Sequence, residues 1–164
     1  MGGITLWDFS YPKEIKVCFF ETKLNHNEIL ARLEEMRREE KSKDKAIQVF
    51  DAENVCGEEH LYHSTRLAVK SFKRGGISRS LEMEILLFVA GERQISRALE
   101  KVGVKEGTKR VAVVLVNSSE EDVKWIGERT KPSCNQERVR RIFGIKGRDA
   151  LIEILERSAL LPII

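Results

Sequence analysis

Residues 80–104 read SLEMEILLFVAGERQISRALEKVGV. The first half is a helix apolar nearly all the way round, because Leu81, Ile85, Leu86, Leu87, Phe88, Val89 and Ala90 leave no continuous polar face. Such a helix belongs inside a core and not on a surface. Gly91 stops it, and a second helix follows that carries Arg93 and Arg97, four residues apart, at its start and ends at Gly103. The first helix therefore reads as scaffold. The second reads as the beginning of a charged surface that the scaffold holds in place.

Downstream, the turn KEGTK (105–109) leads into RVAVVLVN (110–117), an unbroken β-branched run expected to be a central strand buried on both faces. Upstream, IKVCFFE (15–21) alternates as a half-buried strand with Ile15, Val17 and Phe19 on one face. Asn25 or Asn27 caps a helix whose stripe is Ile29, Leu30, Leu33 and Met36, and RREEKSKDK (37–45) is a solvated charge run and loop. AIQVFDA (46–52) is a second strand, ended by Asn54 and Gly57. EEHLYHSTRLAVKSFKRGG (58–76) is a helix with Leu61, Ala68 and Phe72 inward, stopped by Gly75 and Gly76. After the central strand, Ser118 or Ser119 caps a helix through EEDVKWIGERT (120–130), which Pro132 prevents from continuing. Two short helices, Arg138 to Phe143 and Arg148 to Leu160, finish the chain. Strands interspersed with helices predict an α/β fold: residues 1–164 as a single domain with a small mixed central β-sheet covered by several helices.

The bulk composition agrees with one domain, since 164 residues bury a core without metal or disulfide help. Charged residues make up 34% but the net charge is only +3, so nucleic-acid binding has to be argued from clustering and not from the total. Cys18, Cys56 and Cys134 are odd in number and widely spaced, which does not describe a secreted disulfide framework. The opening MGGITLWDFSYPKE lacks an apolar signal core, and the run Ile85 to Ala90 is far too short for a bilayer. A cytoplasmic protein with no membrane span is expected.

Catalytic motifs are absent: there is no GxSxG elbow, P-loop, GxGxxG after a strand or HExxH. The one candidate for metal or nucleophilic chemistry is Cys56 with His60 and His63, three apart on a helix, but no fourth ligand or orienting group stands nearby. Cys56 reads more simply as a small apolar filler. The expectation is a binding protein with no catalytic residue, metal or cofactor. A stand-alone nucleotide- or RNA-processing enzyme using Cys56, His60 and His63 is the alternative.

Basic residues cluster twice. Lys70, Lys73 and Arg74 end one helix, Arg79 lies in the loop after it, and Arg93 and Arg97 open another helix, where backbone N–H groups also favour anions. Arg138, Arg140, Arg141, Lys146 and Arg148 form the second cluster. In the last helix, DALIEILERSALL, the face Leu151, Ile154, Leu155 and Ser158 is widened by Ile152, Ala159 and Leu160 beyond what one core requires. The apolar tail Leu161, Ile163 and Ile164 either tucks back or joins an exposed patch for a partner.

Across residues 80–104 the sequence closely resembles the small KEOPS-complex subunit family, called PRPK-binding proteins (the TPRKB family) in eukaryotes. The match lies in Ser80, Leu81, Glu84, Ile85, Leu86, Gly91, Arg93, Gln94, Ile95, Ala98, Gly103 and Val104, and HLYHSTRLAVKSF (60–72) and IFGIKGRDALIEILERSALL (142–161) are also similar. The resemblance implies a non-catalytic subunit of the complex that installs threonylcarbamoyladenosine on tRNA. Such a subunit binds the N-terminal lobe of the small kinase/ATPase subunit and recruits tRNA by its 3′ CCA end. The resemblance carries over Arg93 as the motif arginine; charge clustering adds Lys70, Lys73, Arg74, Arg79 and Arg97 as the residues expected to meet RNA, and the wide apolar stripe at the C-terminus gives Ile145, Ile152, Leu155, Ala159 and Leu160 as those expected to meet the kinase. Leu81, Ile85 and Ile95 are expected in the core. Glu84, on so apolar a helix, needs a partner, either Arg93 or a backbone N–H.

Overall fold

The β-branched run Arg110–Val116 (β3) is the centre of the sheet in the computed structural model, which describes residues 14–163. The N-terminal stretch before residue 14 and the tail residue Ile164 lie outside the described residues. Ile15–Glu21 (β1) pairs with β3 along its whole length, and Ala46–Asp51 (β2) pairs with it on the other side. Glu128–Thr130 (β4) adds to the outer edge of β1, giving the order β2-β3-β1-β4. Every pairing is antiparallel, which corrects the expected mixed sheet. His26–Glu39 (α1) connects β1 to β2 so that the two strands run the same way, but β3 inserts between them in the opposite sense. No parallel pair is left.

Alternate residues of β3 feed two cores. Ala112, Val114 and Val116 join Phe19 and Phe50 on one face, whereas Val111, Val113 and Leu115 join Cys18, Phe20 and Val49 on the other. The second face is covered by Ile29 and Leu33 of α1 and by Val123 and Ile126 of the 3-10 segment Glu120–Ile126. The first face carries the main helical layer: Gly57–Lys73 (α2), Leu81–Ala90 (α3), Ile95–Val102 (α4), Gln136–Phe143 (α5) and Ala150–Leu160 (α6). α3 packs against α2, α4, α6 and β2, so all sides of it are enclosed. Its residues from Ile85 to Ala90 are all buried. At about 25 cal/mol per Å² of apolar surface, each large side chain enclosed in this way contributes roughly 1.5–3 kcal/mol. Gly91 then takes the left-handed conformation, φ 66°, and the N–H of Glu92 returns to the Leu87 carbonyl at 3.1 Å. That turn ends α3 and frees α4 to set out in a new direction.

Three local expectations change. α1 extends through Glu39 into the charge run, and Leu30 lies outside its stripe, 41% exposed. Residues 120–130 do not form one helix: a 3-10 segment with a Ser119 cap gives way after Gly127 to β4. Any Cβ at Gly127 would sit 1.9 Å from the Glu21 carbonyl oxygen, so only glycine lets the chain close onto β1 there. Third, Cys56 is no free filler, because it is bonded to Cys134 across a sequence separation of 78. α5 packs against the short 3-10 turn Ala52–Asn54 just before α2, and this brings the loop that carries Cys134 onto the start of α2.

β2 is the sheet's edge strand beside α3, and two of its outer backbone groups are met within the chain. Arg37 Nη2 donates to the Ile47 carbonyl at 2.6 Å, and Gln48 Oε1 accepts from the Val49 N–H at 3.0 Å. An edge satisfied in this way offers little to a foreign strand.

Candidate nucleic-acid and partner surfaces

The basic surface grows out of the last turn of α2. Lys70 and Arg74 project there, and Gly75 and Gly76 reverse the chain into the loop that leads to α3. Ser80 caps α3 by accepting from the Met83 N–H at 3.2 Å, which fixes where that loop ends. The other wall comes from the turn after α3, where Arg93 Nη1 donates to the Leu161 carbonyl at 2.6 Å and so ties this turn to the end of α6. Lys70, Arg74 and Arg93 thereby converge on one cavity of about 330 Å³, whose apolar lining includes Phe88, Ala159 and Pro162.

Of the six basic residues expected to meet RNA, the cavity gathers these three. Arg79 and Arg97 are exposed outside its lining, and Lys73 is half-buried in the last turn of α2. Among the described residues, the side chains of Lys70, Arg74, Arg79 and Arg97 have no hydrogen-bond or ion-pair partner, so their charge faces solvent. The second basic cluster is different. Arg138 Nε donates to Asn54 Oδ1 at 2.6 Å and Arg140 Nε to the Gly147 carbonyl at 3.2 Å, so both brace loops, while Arg141, Lys146 and Arg148 remain exposed.

Glu84 is fully buried, and the two partners left open in the sequence resolve in favour of the backbone. Its carboxylate accepts from the N–H groups of Ile77 at 3.0 Å and Ser78 at 2.8 Å and from the hydroxyls of Ser71 at 2.6 Å and Ser78 at 2.7 Å. Arg93 takes no part in this. Leu81 and Ile85 are core as expected, but Ile95 is 40% exposed and Leu99 beside it 48%. α4 needs only Ala98 and Val102 to seal its inner face.

α6 supplies an apolar outer face. Ile154 and Ser158 point inward, with the Ser158 hydroxyl 3.2 Å from that of Ser64 and donating to the Phe88 carbonyl. Ile152 is 54% and Leu160 51% exposed, Ala159 is exposed and Leu155 half-buried, so these four residues of the expected kinase surface share accessible parts of one helix. Ile145 does not belong with them, being 5% exposed. Gly144 ends α5 in the left-handed conformation, and the Ile145 N–H bonds back to the Arg140 carbonyl at 2.8 Å. Ile145 is thus the apolar residue that closes a helix terminus onto its own core.

The Cys56, His60 and His63 arrangement does not form a site. Cys56 is in the disulfide, and His60 is fully buried with both ring nitrogens occupied. Its Nδ1 accepts from the Cys56 N–H and its Nε2–H donates to the Val89 carbonyl, each at 2.9 Å. Burial pushes the His60 pKa down to about 4, against the smaller opposing pull of the Val89 carbonyl. His63 is exposed and stands edge-on to Tyr62. Among the described residues no three His, Cys, Asp or Glu side chains gather as metal ligands, and no helix is long and apolar enough to cross a membrane.

The described residues thus bring a basic cavity next to the exposed apolar residues of α6. Residues 20–160 match the profile of the family described as kinase binding protein CGI-121. The chain belongs to that family, the one its residues 80–104 resemble. It is similar to the regulatory protein Cgi121 of Methanocaldococcus jannaschii, 31% identical over 128 residues that cover 71% of this chain and 83% of the relative. It is also similar to the KEOPS complex subunit Cgi121 of Pyrococcus abyssi, 32% identical over 107 residues that cover 61% of this chain and 60% of the relative.

Proposed function

We propose that this protein is a non-catalytic, cytoplasmic subunit of a KEOPS complex for tRNA threonylcarbamoyladenosine modification. In this reading it docks the N-terminal lobe of the kinase/ATPase subunit through α6 and holds the 3′ CCA end of tRNA at the basic cavity. The observation that carries the reading is the convergence of Lys70, Arg74 and Arg93 on one cavity next to the apolar face of α6. Single-stranded RNA suits such a place, since cations meet phosphates while apolar and aromatic surface receives splayed bases. Ala159 and Pro162, both exposed, supply apolar surface there, and the exposed Ile95 and Leu99 lie on the helix that follows Arg93. The Pyrococcus relative's name places that protein in a KEOPS complex, and the family description supplies the kinase.

The test is a binding titration of the protein with intact tRNA and with tRNA lacking its 3′ CCA, at two salt concentrations. Tight binding that needs the CCA end supports the reading. Three phosphate contacts predict that log K falls with log salt at a slope of about −2. Equal affinity for both RNAs would leave only a nonspecific basic surface, and no binding would leave the kinase as the sole partner.

A further inference from the structure

We infer that Glu84 is the positioning residue of the basic surface: from inside the fold, its carboxylate sets the distance between the last turn of α2 and the loop that follows it. The inference rests on the RNA reading above. Glu84 belongs to α3, yet each donor it accepts from lies outside α3: Ser71 on α2, and Ile77 and Ser78 in the loop. One buried carboxylate therefore joins three separate pieces of chain. Two of these pieces also line the cavity, through Lys70, Ser71 and Arg74 on α2 and Gly76 and Ile77 in the loop.

The loop is drawn in tightly. A Cβ at Gly76 would lie 3.4 Å from Glu84 Oε1 and 3.3 Å from the Ser78 carbonyl oxygen. The amides of Ile77 and Ser78 make a small nest of N–H donors of the kind that elsewhere holds an external anion. Here the nest is filled by the protein's own carboxylate. Phosphates must then be met by the side chains around the loop, and Glu84 determines where those side chains stand.

Glu84→Gln separates this role from two others because the three predict different signs. If Glu84 were only a negative charge near an RNA surface, its neutralisation would tighten RNA binding. If it were only a general fold support, kinase binding would weaken with RNA binding. A positioning role predicts that the full-length variant binds CCA-ended tRNA roughly tenfold more weakly, a loss of the size expected when buried donors lose their acceptor. The salt slope should become shallower while affinity for the kinase subunit stays unchanged. Amide hydrogen exchange should speed up at Ile77 and Ser78 but not in α6. Should Glu84→Gln fail to fold, Ser71→Ala with Ser78→Ala removes two hydroxyl donors, keeps the charge, and predicts the same ordering with a loss of a few-fold. Tighter or unchanged RNA binding, or a matched loss of kinase binding, overturns the inference, as does unchanged exchange at Ile77 and Ser78. Wild-type protein that binds no tRNA would instead sink the RNA reading, and that result is visible without the variant.

Discussion

Acidification should destabilise this protein through one buried histidine. His60 is neutral in the fold, its Nδ1 accepting from the Cys56 N–H and its Nε2–H donating to Val89, with the Phe143 ring edge-on at 5.6 Å. Protonation would place a donor against the Cys56 N–H and a charge in a site closed to water. The folded-state pKa is accordingly lowered from the ordinary 6.5 to about 4. Below pH 6.5 the unfolded chain takes up a proton that the folded chain refuses, so stability falls as pH drops and levels off once the folded state also protonates near 4. The interval between 6.5 and about 4 corresponds to about 3 kcal/mol. Urea unfolding at a series of pH values measures this directly, and other groups that titrate are removed by comparison with His60→Gln. Glutamine keeps a donor and an acceptor but does not titrate. The stability difference between wild type and variant should shift by about 3 kcal/mol in the variant's favour from pH 7 to pH 4. Parallel curves would refute the reasoning and mean that His60 reaches solvent or changes partner at little cost.

Three other outcomes are expected. Replacing both Cys56 and Cys134 with serine opens a loop of 78 residues and should cost roughly 4 kcal/mol on the chain-entropy account; a melting temperature insensitive to reductant would contradict it. Lys70→Glu with Arg74→Glu should weaken tRNA binding at least tenfold and flatten its salt dependence without changing the melting temperature by more than a few degrees, as read by fluorescence titration and calorimetry. Ile152→Arg, on the most exposed apolar residue of α6, should abolish kinase binding in a pull-down while leaving the fold intact, whereas Ile154→Arg beside it should fail to fold because Ile154 is buried.

Some of this was legible in the sequence because it follows from local pattern. β3 reads as a two-faced strand since a continuous Val and Leu run can only be buried on both sides, and α3 reads as enclosed since it has no polar face. The basic turn after Lys70 and the wide apolar stripe of α6 were equally plain. What escaped depends on contacts far along the chain. β4 exists because Gly127 lets it close onto β1, and nothing within residues 120–130 announces a neighbouring strand edge. Ile95 has the spacing of a core residue with Ala98 and Val102, but α4 is short and two small-to-medium side chains seal it. Ile145 looked like part of an exposed stripe because a terminus closed by a left-handed glycine turns the next apolar residue inward, which helical periodicity does not describe. Cys56 and Cys134 meet only because α5 packs beside the start of α2. Glu84 was flagged as needing a partner, and the choice between its candidates lay in the path of a loop.

The bond between Cys56 and Cys134 gives the chain a covalent ring with two free arms. Within the ring lie α2, α3, α4, β3 and β4, and with them Lys70, Arg74, Arg93 and the Glu84 loop; α5 and α6 hang outside it. A protease cut in the connection between α5 and α6 would release the helix proposed to hold the kinase as a separate peptide, while a cut within the ring would leave both ends of the nick on one molecule. Under tension between a bound RNA and a bound kinase, the RNA side is the half that stays covalently closed. The kinase side is joined to the ring by a single backbone strand from Cys134 and is seated on it by non-covalent ties such as Arg93 to Leu161 and Ser158 to Phe88.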